Sequence, residues 1–352
     1  MAITYHAGRR IQGTAADRAE VPAISGGWKE VGRTTLGSAG DEINVSSLAN
    51  KRYYMILGNT DNSGACSNTW RLNSDTGSNY AYRFSEDGAT DVTGTSATGG
   101  LHGTRSYTVP SFFISFISNL SSKEKLVQSW HTSGNTAGAG TANTRDLAVG
   151  KWANTTDAIN AIMTRNSGAG DYLSGSETVV LGWDPDDTHT DNFWEELASV
   201  ELGSAGDNLS SGTISAKKYL WVQCWYENNS ASDINVKMRF NNDSGSNYAS
   251  RYSLNGASDT SRTSKTFIDT QASGGQYPNF VNCFIVNNAS NEKLVISNLV
   301  GQSTAGAGTA PIRTEIVGKW TNTSNQITEI DFDNVDAGDI SAGAILKVWG
   351  AD

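Results

Sequence analysis

Leu36-Gly-Ser-Ala-Gly-Asp41 returns as Leu202-Gly-Ser-Ala-Gly-Asp207, an offset of 166 residues. Further along, Gly77-Ser-Asn-Tyr-Ala81 returns as Gly245-Ser-Asn-Tyr-Ala249, and the offset is now 168. It then holds for Thr136-Ala-Gly-Ala-Gly-Thr-Ala142 with Thr304 to Ala310, and for Val149-Gly-Lys-Trp152 with Val317-Gly-Lys-Trp320. Only two residues of net insertion separate the halves. A period this long marks a tandem pair of whole domains, not a solenoid of short repeats.

The duplication sets the boundaries. Trp28 and Glu30 align with Trp194 and Glu196, which puts one copy at 27–184 and the other at 193–352. Residues 185–192 form a short polar linker opened by Pro185, a residue that cannot donate to a sheet ladder. Residues 1–26 have no counterpart and read as an extended N-terminal arm.

Each copy is long enough for a single buried core. Glycine is abundant (37 residues), proline is scarce (5), and no sustained period of 3.6 residues appears. Lys51-Arg-Tyr-Tyr-Met-Ile-Leu57, Ser111-Phe-Phe-Ile-Ser-Phe-Ile117 and their counterparts are rich in aromatic and β-branched residues, as strands are. Stretches at 124–130, 145–152, 158–163 and 177–181 read the same way. About eight strands per copy, with no crossover helices, predict an all-β chain of two tandem antiparallel β-sandwiches of jelly-roll type.

Composition also narrows the function. No apolar run approaches the ~18 residues of a membrane span, and the amino terminus lacks the apolar core of a signal peptide. A net charge of −10 argues against a nucleic-acid partner. The three cysteines (Cys66, Cys224, Cys283) have no equivalents between copies, so they read as small buried residues, with Cys224–Cys283 the one disulfide to consider.

Chemistry-bearing motifs are few. Asn73-Ser-Asp75-Thr-Gly77 and Asn241-Asn-Asp243-Ser-Gly245 alternate oxygen ligands around glycine, like the first half of a calcium loop. The distal glutamate is replaced by Phe84 and Tyr252, so a polar turn is the preferred reading over a metal site. Arg71, Arg83, Arg239 and Arg251 flank these turns and are expected to pair with nearby aspartates. Glu124-Lys125 and Glu292-Lys293 read as strand entrances with solvated charges. Trp225 with Tyr226 is the candidate exposed platform for a sugar ring. The histidines (His6, His102, His131, His189) are unshared, and no nucleophile elbow, zinc helix or P-loop is present. An enzyme and a cofactor are therefore not expected.

The arm segment Gly8-Arg9-Arg10-Ile11-Gln-Gly13, the Leu36 to Asp41 start and the Gly77-Ser-Asn-Tyr-Ala-x-Arg83 segment together resemble virion structural proteins of tailed bacteriophages, especially marine ones. The resemblance implies a non-enzymatic component of the particle surface, a capsid decoration protein or a fibre-type subunit. Its partners would be major capsid or tail proteins, and it would form a homotrimer or another homo-oligomer. Arg9, Arg10 and Ile11 would then be the anchor to the partner. The alternative is a tandem carbohydrate-binding module that recognises a cell-surface glycan. A glycan-cleaving enzyme is the third reading.

Overall fold

The computed structural model describes residues 27–106, 109–184, 187, 192–228, 232–270, 277–302 and 307–352. The arm, and with it Arg9, Arg10 and Ile11, lies outside the described residues, as does most of the linker. Among the described residues all regular structure is strand, and no helix is long and apolar enough to cross a membrane.

In the first copy one sheet holds, side by side, β1 (Lys29–Thr35), β12 (Glu177–Trp183), β3 (Tyr53–Thr60), β8 (Ser111–Ser118), β9 (Lys125–Ser133), β10 (Thr144–Trp152), β5 (Tyr80–Glu86) and β6 (Val92–Ala97). The facing sheet holds β2 (Glu42–Val45), β11 (Ile162–Asn166), β4 (Cys66–Leu72) and β7 (Leu101–Ser106). The pairs β1 with β12, β2 with β11, β3 with β8 and β4 with β7 are all antiparallel. They are one long ribbon folded over and rolled, which is a jelly roll. Two insertions, the β5–β6 hairpin and the β9–β10 pair, join beside β8 and widen that sheet to eight strands.

The second copy repeats this order strand for strand. Its wide sheet runs β13 (Glu195–Glu201), β24 (Ile345–Ala351), β15 (Tyr219–Tyr226), β20 (Asn279–Val286), β21 (Lys293–Gly301), β22 (Ile312–Trp320), β17 (Tyr248–Leu254) and β18 (Thr260–Lys265). Its narrow sheet runs β14 (Asn208–Ser210), β23 (Ile330–Asn334), β16 (Val236–Phe240) and β19 (Ile268–Asp269). Both copies therefore have more strands than the eight expected. The hairpin turn behind part of the excess has Asp87-Gly88 in one copy and Asn255-Gly256 in the other, all four at positive φ. Those dipeptides suit a turn whose two central residues must both be left-handed.

Irregularities repeat as well. The ladder of β1 with β12 slips between Glu30 and Gly32, and that of β13 with β24 slips at the equivalent Glu196 and Ala198. The ladders of β5 with β6 and β17 with β18 slip between Tyr80 and Tyr82 and between Tyr248 and Ser250.

Alternation divides each wide sheet into two apolar faces. In β3, Tyr54 and Ile56 join the sandwich core with Trp70, Leu72, Phe113, Trp152 and Val180. Met55 and Leu57 point the other way. Phe113 fits its core because its cross-strand partner is Gly58, where an added Cβ would stand 1.8 Å from the ring. The equivalent pair in the second copy is Cys224 opposite Val281, a larger residue facing a smaller one. The unshared cysteine is thus a volume adjustment. All three cysteines are buried and free, so Cys224 and Cys283 form no disulfide.

Candidate functional site: the seam between the copies and an aromatic cleft

The outward faces of the two wide sheets bury against each other. Met55, Leu57, Phe112, Ile114, Val179 and Leu181 meet Tyr219, Phe284, Val286, Leu294, Ile296 and Trp349 in one cluster. Rings interlock within it: Phe116 meets Phe284 edge-on at 6.5 Å, and Phe112 stacks on Tyr219 at 6.4 Å. The molecule is therefore four layers of sheet with three apolar interiors. Burial of this kind contributes on the order of 25 cal/mol per Å² of apolar surface removed from water.

Polar groups seal the seam. Arg145 reaches from β10 to Asp259, with Nε at 3.0 Å from a carboxylate oxygen, and to Glu315 at 2.9 Å. Arg251 returns the contact, donating to the Asn143 carbonyl at 2.7 Å and lying 3.2 Å from Asp87. The Lys319 ammonium, fully buried, donates to the Gly134 carbonyl at 2.7 Å and to that of Thr136. The Gly138 N–H donates to Glu292. The glycine-rich Thr136 segment is thus part of a lock between domains, a role that its sequence alone did not disclose.

Glu177 is the hub at the opposite side of the seam. It accepts from Thr35 at 2.7 Å, Lys218 at 3.0 Å and the Tyr219 hydroxyl at 2.8 Å. Burial alone would raise its pKa. The Thr35 bond, the Lys218 charge and bond, and the Tyr219 bond outweigh that and hold the carboxyl below its ordinary range.

Among the described residues, one stretch of the same outward face stays open. Trp28, Tyr53, Phe116, Leu126, Gln128 and Trp183 line a cleft of about 400 Å³. Tyr53 stacks on Trp183 at 5.4 Å, and Trp28 closes one side, 6.5 Å from Trp183 and 6.2 Å from Phe116. The Arg52 guanidinium lies 5.8 Å from the centre of the Tyr53 ring. Leu126, 58 % exposed, faces solvent although apolar.

No family model matches the chain, and no curated protein matches it. Among solved structures it is similar to domains LG4-5 of the mouse laminin α1 chain, at 10 % identity over 92 % of this chain and 90 % of that one, with a TM-score of 0.19. It is also similar to the mavirus major capsid protein, at 7 % identity over 99 % of this chain and 93 % of that one, with a TM-score of 0.14. At such scores neither bears on the fold, which rests on the strand order itself.

The residues singled out from sequence fall as follows. Tyr226 is not a surface platform: it is fully buried in the core of the second sandwich, because adjacent residues of β15 face opposite sides. Trp225 does face outward and is half-buried, between Ile345 on β24 and Phe280 on β20. Asn73 and Asp75 are committed to their turn. Asn73 receives the Asn160 and Ala161 N–H groups and donates to Ala158. The Asp75 carboxylate accepts from Gly77 at 2.7 Å, Asn79 at 2.8 Å and Trp152 Nε1 at 2.6 Å. Asn241 and Asp243 repeat the pattern, with Trp320 Nε1 at 2.7 Å. This motif is a clamp between a turn and a core tryptophan.

Arg83 pairs with Asp91, Arg239 with Asp333 and Arg251 with Asp87, as expected of arginines beside these turns, whereas Arg71 donates to the Thr98 carbonyl. Lys125 and Lys293 overturn their reading as solvated charges. Both are fully buried, each ammonium held by three backbone carbonyls and set 5.7 Å from the ring of Trp152 or Trp320. Burial lowers the pKa of Lys293 to about 8.

Proposed function

We infer that the chain is a non-enzymatic structural subunit of a virion surface, a decoration or fibre-type protein that the N-terminal arm attaches to the particle. The observation that supports this reading is the seam. Three stacked apolar interiors, closed by the Arg145–Asp259 pair and the Glu177 hub, turn two domains into one stiff block. Such a block spaces and presents surfaces, the task of a particle component. Arg9, Arg10 and Ile11 would supply charge and apolar contact to a capsid or tail partner.

Deleting residues 1–26 tests it. The truncated chain is expected to keep its far-UV spectrum and melting temperature but to be missing from purified particles. Normal incorporation would overturn the anchor.

The cleft favours a second reading, that of a carbohydrate-binding module. Stacked Tyr53 and Trp183 beside an arginine form an apolar face with polar margins, which suits a pyranose ring. A glycan array would show binding that Trp183→Ala abolishes; a blank array removes this reading.

A further inference from the structure

We propose that the aromatic cleft of the first copy docks a second copy of this chain, through the outward row Ile345, Trp225, Phe280 and Val300 of that molecule's second copy. The proposal rests on the reading of the chain as an assembly subunit.

The two copies correspond strand for strand. The cleft residues Trp28, Tyr53, Phe116, Leu126 and Gln128 correspond to Trp194, Tyr219, Phe284, Leu294 and Ile296. Those counterparts are buried in the seam. The cleft is therefore the surface with which the second copy grips the first, left open on the first copy itself. The surface gripped in the seam includes Glu177, Asn59, Phe112, Thr132 and Arg145, all buried. Their counterparts are Ile345, Trp225, Phe280, Val300 and Arg313.

These are direct cross-strand neighbours and form one row across the outward face of the sheet. Ile345 and Phe280 are each 39 % exposed and Val300 is 47 % exposed. Among the described residues, each chain thus makes one gripping contact internally and leaves one gripping surface and one gripped surface unpartnered. A contiguous exposed apolar row of this kind marks an interaction site.

The substitutions within the row suit this partner. Where the seam places polar Asn59 and Thr132, the open row has Trp225 and Val300, and the cleft it would enter is lined with aromatic rings. Charge moves consistently. In the seam Lys218 pairs with Glu177. Its counterpart beside the cleft is the exposed Arg52, and although Glu177 is replaced by Ile345, the strand paired with Ile345 offers the exposed Glu201. Arg52 would meet Glu201. At the rim next to Leu126, Lys151 and Glu124 pair at 2.8 Å, in the places of Lys319 and Glu292 at the seam. Because gripping and gripped surfaces differ, the contact is heterologous and builds a head-to-tail ring or filament, or closes reciprocally between two chains.

The test uses the full chain, with mass measured by light scattering. Wild type is expected to run above 37.5 kDa in a concentration-dependent way. Leu126→Arg in the cleft and Phe280→Arg in the row are each expected to give folded monomers, with melting temperatures confirming the fold. Mixed one to one, the two variants should give a dimer and nothing larger, since one intact cleft meets one intact row. A monomeric wild type overturns the proposal. So does a wild type that assembles only after deletion of residues 1–26, which would make the arm the occupant, or one that stays monomeric while binding glycan through Trp183. Assembly lost in only one variant, or no dimer on mixing, also overturns it. A monomeric chain that still enters particles through its arm would sink this contact and leave the structural reading standing.

Discussion

The Tyr219 hydroxyl of the second copy donates to the Glu177 carboxylate of the first at 2.8 Å, both groups out of solvent. Glu177 has its pKa held below the ordinary range, so its stabilising effect is full above the unfolded value of about 4.3 and disappears as pH falls through the folded value. Glu177→Gln is expected to cost about 1–3 kcal/mol at pH 7. Melts of wild type and variant should converge as pH drops below about 4. A gap as wide at pH 3 as at pH 7 would show that the charge of Glu177 is not what matters.

Arg145 and Asp259 are buried partners from different copies, so removing one strands the other. Arg145→Met is expected to cost about 3–5 kcal/mol. Adding Asp259→Leu should recover part of that, because the buried Asp259 carboxylate is then gone and the other partner of Arg145, Glu315, still lies 3.7 Å from Arg313. Denaturant titration of the single and double variants reads the difference.

Lys293→Met keeps the apolar stem but leaves three carbonyls without their donor. A loss of about 2–4 kcal/mol is expected, from hydrogen bonds to a charged group and from desolvated acceptors. Lys125→Met should behave alike in the other copy. If either variant matched wild type in urea, the buried ammonium would be incidental.

Gly58→Cys pushes a Cβ into the Phe113 ring and should cost about 3 kcal/mol or more. The second copy already contains the remedy, Cys224 facing Val281. The double variant Gly58→Cys with Phe113→Val should recover most of the loss in a thermal melt, whereas additive losses would refute the exchange.

Asp243→Ala frees Trp320 Nε1 and the Gly245 N–H, and should destabilise by about 1–3 kcal/mol with a change in tryptophan fluorescence. Chelation with EDTA should leave the melting temperature of wild type unchanged, since the oxygens of Asn241 and Asp243 are already engaged. A chelator-dependent shift would reinstate a cation at this turn.

The fold was legible where periodicity carried it. Ser111–Ile117, with alternating faces and a counterpart 168 residues on, could hardly be anything but a central strand. The inserted hairpins are harder: Val92–Ala97 is polar and Tyr80–Glu86 has aromatics but no large aliphatics, although Asp87-Gly88 and Asn255-Gly256 carry a hairpin signal at matching places. Tyr226 departs from its expectation because strand alternation forbids two adjacent aromatics from sharing one surface. Charge alone marks Lys125 and Lys293 as solvated, but the carbonyls that hold them come from neighbouring turns, which the residue itself does not disclose. The seam was illegible in any single residue. It shows only as a difference between copies, such as Glu177 against Ile345, whose meaning depends on which face another sheet covers.

The ladders of the outer strands β1 and β13 slip at Glu30/Gly32 and at the equivalent Glu196/Ala198. The same step is irregular in both halves, so each wide sheet has a distorted strand at the same margin. A bulged border makes a poor template for an incoming strand. That margin is blunted in both copies, so each wide sheet extends sideways only past β8 or β20, and the two copies meet broadside, sheet upon sheet.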